Sequence, residues 1–261
     1  MRFLDFPEID SIARAAARSR PLDLPARAFV LHRLGPAVEL FHLCADRAVP
    51  PLAELDWLDS GRWERVVHFM TAEASGFFAA DEAATILKGK AIADEVALQR
   101  FYLEAHKKGL ACGYPSRLVA QFIAAVGELL GNVIEHSNAA QTGTAWIRCT
   151  PREFEFGISD HGVGPRASLL SGPAGLQPKS DTEALTMMLT DGVSRYGIDQ
   201  GRGRGFRPIF VGLSNLAGYM RFRSGSGSLT VQGTISPDIA ATPAQKPHVE
   251  GLLLSVLCRA A

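Results

Sequence analysis

The chain is short of the features that would tie it to a membrane, a metal cage or nucleic acid by composition alone. Its four cysteines, Cys44, Cys112, Cys149 and Cys258, stand far apart with no C-x-x-C pair. That spacing offers neither a zinc site nor a disulfide framework, so reduced core thiols are the expectation. Basic and acidic residues balance at 27 each, and no overall field draws the protein to nucleic acid or an anionic membrane. No uncharged apolar run approaches the roughly 20 residues of a membrane helix. The opening MRFLDFPEID is acidic where a secretory leader would be basic and then apolar. A cytoplasmic protein without a membrane or nucleic-acid partner is expected. There is also no G-x-x-x-x-G-K-[ST] loop, which excludes the commonest phosphate-binding motif.

What is present is a chain of 261 residues, long enough for a full core. Residues 1–78 read as a mainly helical region of unassigned role. IDSIARAAARSR puts Ile9, Ile12 and Ala16 on one side, PAVELFHLC sets Pro36 in a first helical turn, and Trp57, Trp63 and Phe69 ask for something to pack against. A continuous alanine, leucine and charge pattern from about Ala80 to Lys108 predicts one helix, broken by GLACGYP. Beyond Pro115 the pattern predicts a helix over 116–137, then a hairpin of TAWIRCT and EFEFGISD. After a long variable segment come a helix from FRPIFVGLSNLAG closed by Gly218 and three strands, YMRFRS, SLTVQ and GLLLSVLC. Helices on one face of a mostly antiparallel sheet make an α+β fold, a two-layer α/β sandwich over residues 79–261.

Three motifs carry chemistry. In GELLGNVIEHSN, Glu128, Asn132, Glu135 and His136 fall at i, i+4, i+7 and i+8 and share one helix face, beside an apolar face of Phe122, Val126, Leu129, Leu130 and Val133. Spacing alone does not separate a ligand-facing stripe from a solvated one. Gly131 costs roughly 1 kcal/mol against alanine in mid-helix and suggests a close approach. In DHGVG, Asp160 ends a strand where it can accept a hydrogen bond from an amino group, and Gly162 and Gly164 let the backbone bend; a plain turn has the same pattern. In GRGRGF, Gly201, Gly203 and Gly205 would present N–H groups to phosphate at a helix start, with Arg202 and Arg204 adding charge-assisted bonds. A flexible loop is the alternative. An RNA-binding segment would need interleaved aromatics and net basicity that are missing.

In this order, E-x-x-x-N on a helix, D-x-G-x-G after a strand and G-x-G-x-G some 40 residues later, the motifs resemble the GHKL (Bergerat-fold) ATP-binding superfamily, over roughly Leu110 to Cys258. The resemblance implies a histidine-kinase-like domain with ATP and Mg²⁺ as cofactors. It makes Asn132 the metal ligand through its side-chain carbonyl, and Glu128 the general base. It sets His136 in the E-H ending of the helix motif, Asp160 on the adenine amino group with Gly162 and Gly164 making room, and Gly201, Arg202, Gly203, Arg204 and Gly205 around the phosphates. A lid over Pro165 to Gln200 is implied, its first part mobile and its second part a short helix, with Arg195 in reach of the phosphates. Gly251 followed by Leu252 departs from the glycine-threonine usual late in the fold. The E-H ending, without a phosphorylatable-histidine hairpin upstream, makes anti-sigma-factor serine-kinase-like members the nearest in motif detail. His68 is the upstream histidine worth testing, although a structural histidine is the ordinary reading. The implied function is an ATP- and Mg²⁺-binding regulatory protein that phosphorylates or sequesters a protein partner. The alternative is a non-catalytic module in which nucleotide orders the lid. A homodimer is compatible with both.

Overall fold

A computed structural model describes residues 2–19, 24–50, 55–72, 75–79, 84–189, 218–233 and 241–259. Gly201, Arg202, Gly203, Arg204, Gly205, Arg195 and the helix expected from FRPIFVGLSNLAG lie outside the described residues. Gly218 itself opens a strand.

The N-terminal region contains the expected helices, α1 (Phe6–Ala17), α2 (Leu34–Ala45) and α3 (Glu64–Thr71). Asp5 caps α1 by accepting from the Phe6 N–H at 3.0 Å, and Pro7 occupies its first turn. Between the helices, β1 (Arg2–Phe3), β2 (Phe29–Val30) and β3 (Leu58–Asp59) form a small parallel sheet. Two-residue strands are too short to show a period of two, so the sequence pattern does not reveal them.

The main sheet is antiparallel and six-stranded: β4 (Gly76–Ala79), β5 (Ala84–Lys88), β6 (Thr144–Cys149), β7 (Glu153–Asp160), β8 (Gly218–Gly233) and β9 (Ala241–Arg259), in the order β4-β5-β6-β7-β9-β8. Two expectations need correcting. The single helix over residues 80–108 is instead β5 followed by α4 (Glu95–Ala111). ATILK carries β-branched residues whose side chains bury on both faces. Gly89 then turns the chain at φ +69°, and Asp94 caps α4 by accepting from the Ala97 N–H at 2.9 Å. The sheet thus begins at Gly76, inside the segment expected to stand apart. Likewise YMRFRS and SLTVQ are one strand, β8, interrupted only by register shifts at Gly225 and Gly227, where the GSGS stretch bulges.

Helices cover both faces. Side chains alternate along each strand, so Phe154, Phe156 and Ile158 of β7 face the core built by α4, α5 (Ser116–His136) and α7 (Asp181–Met188). Trp146, Ile86 and Leu253 face the second core, with Ile9, Val38, Leu40, Trp63 and Val66 of the N-terminal region. One sheet therefore lies between two helical layers, where the sequence suggested a single layer plus an appendage. By length and composition α5 could cross a membrane, but its apolar side lies on the sheet.

An ionic seam fixes the N-terminal layer. Arg221 of β8 bonds Glu39 through Nε and Nη2 at 2.8 Å each, and Asp10 through Nη2 at 2.7 Å. Arg223 donates to Glu39 at 2.6 Å and Lys246 to Asp10 at 2.8 Å. Glu155, buried on β7, accepts from the Leu34 and Gly35 N–H groups at 3.0 and 2.6 Å and so caps α2.

Candidate functional site

The end of β7 carries polar groups to both faces of the sheet. Asp160 follows Phe156 and Ile158 in the alternation and points toward the α5 layer, where it is 3% exposed. Its Oδ1 accepts from the Gly162 N–H at 2.8 Å. Burial pushes its carboxyl up to about 6, against the opposing Gly162 N–H and the neighbouring His161. A desolvated carboxylate with one strong donor is an environment that gains from a second N–H. The turn has no room for side chains. A Cβ on Gly162 would overlap the Ser137 carbonyl at the end of α5, and one on Gly251 the Asp160 carbonyl. Gly164 (φ +71°) and Gly251 (φ +65°) also sit in the left-handed region, which glycine adopts without strain. The Val163 N–H donates to Ser137 O at 2.9 Å, tying the turn to the helix.

The α5 stripe is laid out as the spacing requires, with Glu128 and Glu135 exposed and Asn132 and His136 half-buried. Asn132 Nδ2 donates to the Glu128 carbonyl at 2.8 Å, which leaves its Oδ1 as the acceptor. An oxygen ligand of that kind is chemically suited to Mg²⁺ and the Asp160 carboxylate to an amino group, while the residues expected around the phosphates lie outside the described ones. His136 Nε2 stands 4.0 Å from a Glu135 carboxylate oxygen. A Cβ on Gly131 would meet nothing within 4 Å, so no described protein group makes the close approach that its glycine suggested.

Of the expected lid, only the part up to Leu189 lies within the described residues. The span opens with α6 (Gly164–Ser171), with Leu169 buried, and the rest of the SGPAGLQPKS stretch after it is an irregular connection, exposed or half-buried except at Pro178. The short helix expected next is α7, whose Leu185 and Met188 join the core. Asp181 holds the β8 bulge by accepting from the Ser226 N–H at 2.9 Å. Leu185, Met188 and Leu189 join the sheet's core, so the described end of the span is anchored there.

His161, next in the alternation, emerges on the opposite face. Its Nδ1 lies 2.7 Å from Asp46 Oδ1, and its ring stacks on His42 with centroids 3.7 Å apart and planes within 5°. Asp46 also accepts from the Glu250 N–H at 3.1 Å, and His42 Nε2 contacts Glu250 O at 2.8 Å. Burial, helped by His161, pushes His42 down to about 4, against the pull of Asp46 and Glu250. Burial alone would raise Asp46, but the His161 hydrogen bond and both imidazoles hold it below the usual carboxylate range. One ligand atom from each of His42, Asp46 and His161 lies within 4.8 Å of the other two, a spacing that a metal ion could bridge, and in this structure the two stacked imidazoles share the Asp46 carboxylate. They border a cavity of about 1270 Å³ between α2, α3 and the sheet, on the face away from Asp160 and Asn132. Sequence reasoning missed this group. Strand alternation beyond Asp160 could have placed His161, but nothing in the sequence brings Asp46, at the end of α2, beside it.

Comparison of the chain with protein-family models, with curated proteins and with solved structures finds no match.

Proposed function

We propose that the protein is an ATP- and Mg²⁺-binding regulatory protein of the GHKL type, acting in the cytoplasm on a protein partner that it phosphorylates or sequesters. The observation that carries this reading is Asp160. It is a buried carboxyl at the end of a central strand, with one oxygen held by Gly162 and the turn pressed onto the end of α5 so tightly that only glycine fits. In this reading Asp160 receives the adenine amino group and Asn132 Oδ1 faces the metal. Glu128 is the base that takes a proton from the attacking hydroxyl, and His136 lines the same side of α5. ATP, when bound, supplies the transferable phosphoryl group. Gly201, Arg202, Gly203, Arg204 and Gly205 remain the proposed phosphate loop on sequence grounds.

Calorimetry with Mg-ATP tests it. Wild type should bind with one site per chain, and Asp160→Asn, which keeps the shape but changes the hydrogen-bonding pattern, should weaken binding about tenfold or more, in line with the loss of a buried charge-assisted bond. Unchanged affinity in the variant would remove Asp160 from the site.

The second reading, a non-catalytic module, is favoured by the exposure of Glu128, because a general base works best in a site that excludes water. Glu128→Ala separates the two: lost turnover with retained ATP binding supports the enzyme, and no turnover by wild type with its partner present supports the module.

A further inference from the structure

The geometry points to a second binding site, independent of the nucleotide reading: the cavity between α2, α3 and the sheet takes a small apolar molecule with a single carboxylate head. At about 1270 Å³ it is large enough, since ordinary small-molecule pockets measure about 300–1,000 Å³. Its walls are mainly apolar, with Phe41 from α2, Leu58 from β3, Phe69 and Met70 from α3 and Phe78 from β4, and α3 adds Glu64, Arg65 and His68 to the lining.

The floor carries one polar row. Lys88 pairs in register with Thr144, and Thr144 with Ser159, across three adjacent strands, and all three line the cavity. The neighbouring row on the same face, Ile86, Trp146 and Gly157, is apolar. Strands lie about 4.8 Å apart, so the polar row runs for roughly 10 Å. It presents an ammonium and two hydroxyls, and His161, fixed by Asp46, stands just beyond its end. Lys88 has three N–H groups, two of which reach the Met70 and Ala72 carbonyls at the end of α3. The third, with no acceptor among the described residues, is available to a ligand. Among the described lining residues Arg65 and Glu64 offset each other in charge, so the Lys88 ammonium is left to balance one negative charge, which favours a monoanion over a phosphate. Arg65, which lines the cavity beside Glu64, lies over the Phe78 ring.

Titration of the full chain with decanoate, decanol, decylamine and decyl phosphate, without nucleotide, tests the site by calorimetry. Decanoate should bind at one per chain, and the other three about tenfold more weakly, the difference expected of one charge-assisted contact. Lys88→Met should abolish the preference for decanoate, but it also removes bonds to α3. Thr144→Val, nearly the same shape, is therefore the deciding variant: it should weaken decanoate several-fold while leaving thermal unfolding unchanged. Absence of decanoate binding, equal binding of decanol or decyl phosphate, or indifference to Thr144→Val would overturn the proposal. Because no arm contains ATP, failure here leaves the nucleotide reading untouched, and failure of Mg-ATP binding leaves this one untouched.

Discussion

Asp160 and His161 are consecutive residues whose side chains leave the sheet on opposite faces, one buried against the glycine turn at the end of α5, the other bonded to Asp46 at the end of α2. The same strand end thus serves both helical layers.

That relationship has opposite consequences for pH. Asp160 titrates near 6 in the folded protein against an ordinary 3.8, so between those values the folded state holds a proton that the unfolded chain has lost. Its contribution to stability falls as pH rises through that window. His42 titrates near 4 against 6.5, so there the unfolded chain holds the extra proton, and stability rises with pH. Each contribution is at most about 3 kcal/mol. Urea unfolding between pH 4 and 6.5 should therefore show Asp160→Asn with a steeper upward slope than wild type, and His42→Gln with a more downward one.

The ionic seam predicts a large, asymmetric response. Glu39→Ala would leave Arg221 and Arg223 buried without their shared carboxylate and should cost about 3–5 kcal/mol. Chemical denaturation measures it, and hydrogen exchange should show the loss of protection in α1 and α2 first.

Glu155 caps α2 from a strand rather than from the helix itself. In Glu155→Ala two buried N–H groups, on Leu34 and Gly35, lose their acceptor, at a cost of about 2–4 kcal/mol. Glu155→Gln keeps one acceptor and should recover roughly half of that by the same accounting. Equal unfolding midpoints for Glu155→Ala and wild type would refute the cap.

Two glycines should respond with opposite signs. Gly131→Ala places a methyl in open space on a helix and should stabilise by about 0.5–1 kcal/mol. If nucleotide fills that space, the same variant binds Mg-ATP more weakly. Gly162→Ala would drive its methyl into the Ser137 carbonyl and should destabilise by about 1–3 kcal/mol, which differential scanning calorimetry would register as a lower midpoint.

The elements that the sequence foretold are those with strong local signals. Over α5 a sustained 3.6-residue apolar period runs from Val119 to Val133. The β6–β7 hairpin combines β-branched and aromatic runs with a short turn. Helix α1 combines a cap, an early proline and alanine richness. Residues 84–88 misled because Ala84, Leu87 and Lys88 accept either structure and blend with the alanine- and leucine-rich helix that follows, so the strand preference of Thr85 and Ile86 takes effect only beside β4 and β6.

By itself the sequence determined the periodicities, the glycines that permit the DHGVG turn and the polar stripe on α5, because these depend on bond rotations and on spacing along one element. Only the tertiary structure decided that α1, α2 and α3 cover the second face of the sheet and that Asp46 meets His161. It likewise decided that Lys88, Thr144 and Ser159 line up on a cavity floor. Those contacts join residues far apart in the chain, and which partner a strand or helix face finds is set by packing and charge pairing across the whole core, a quantity no local window contains.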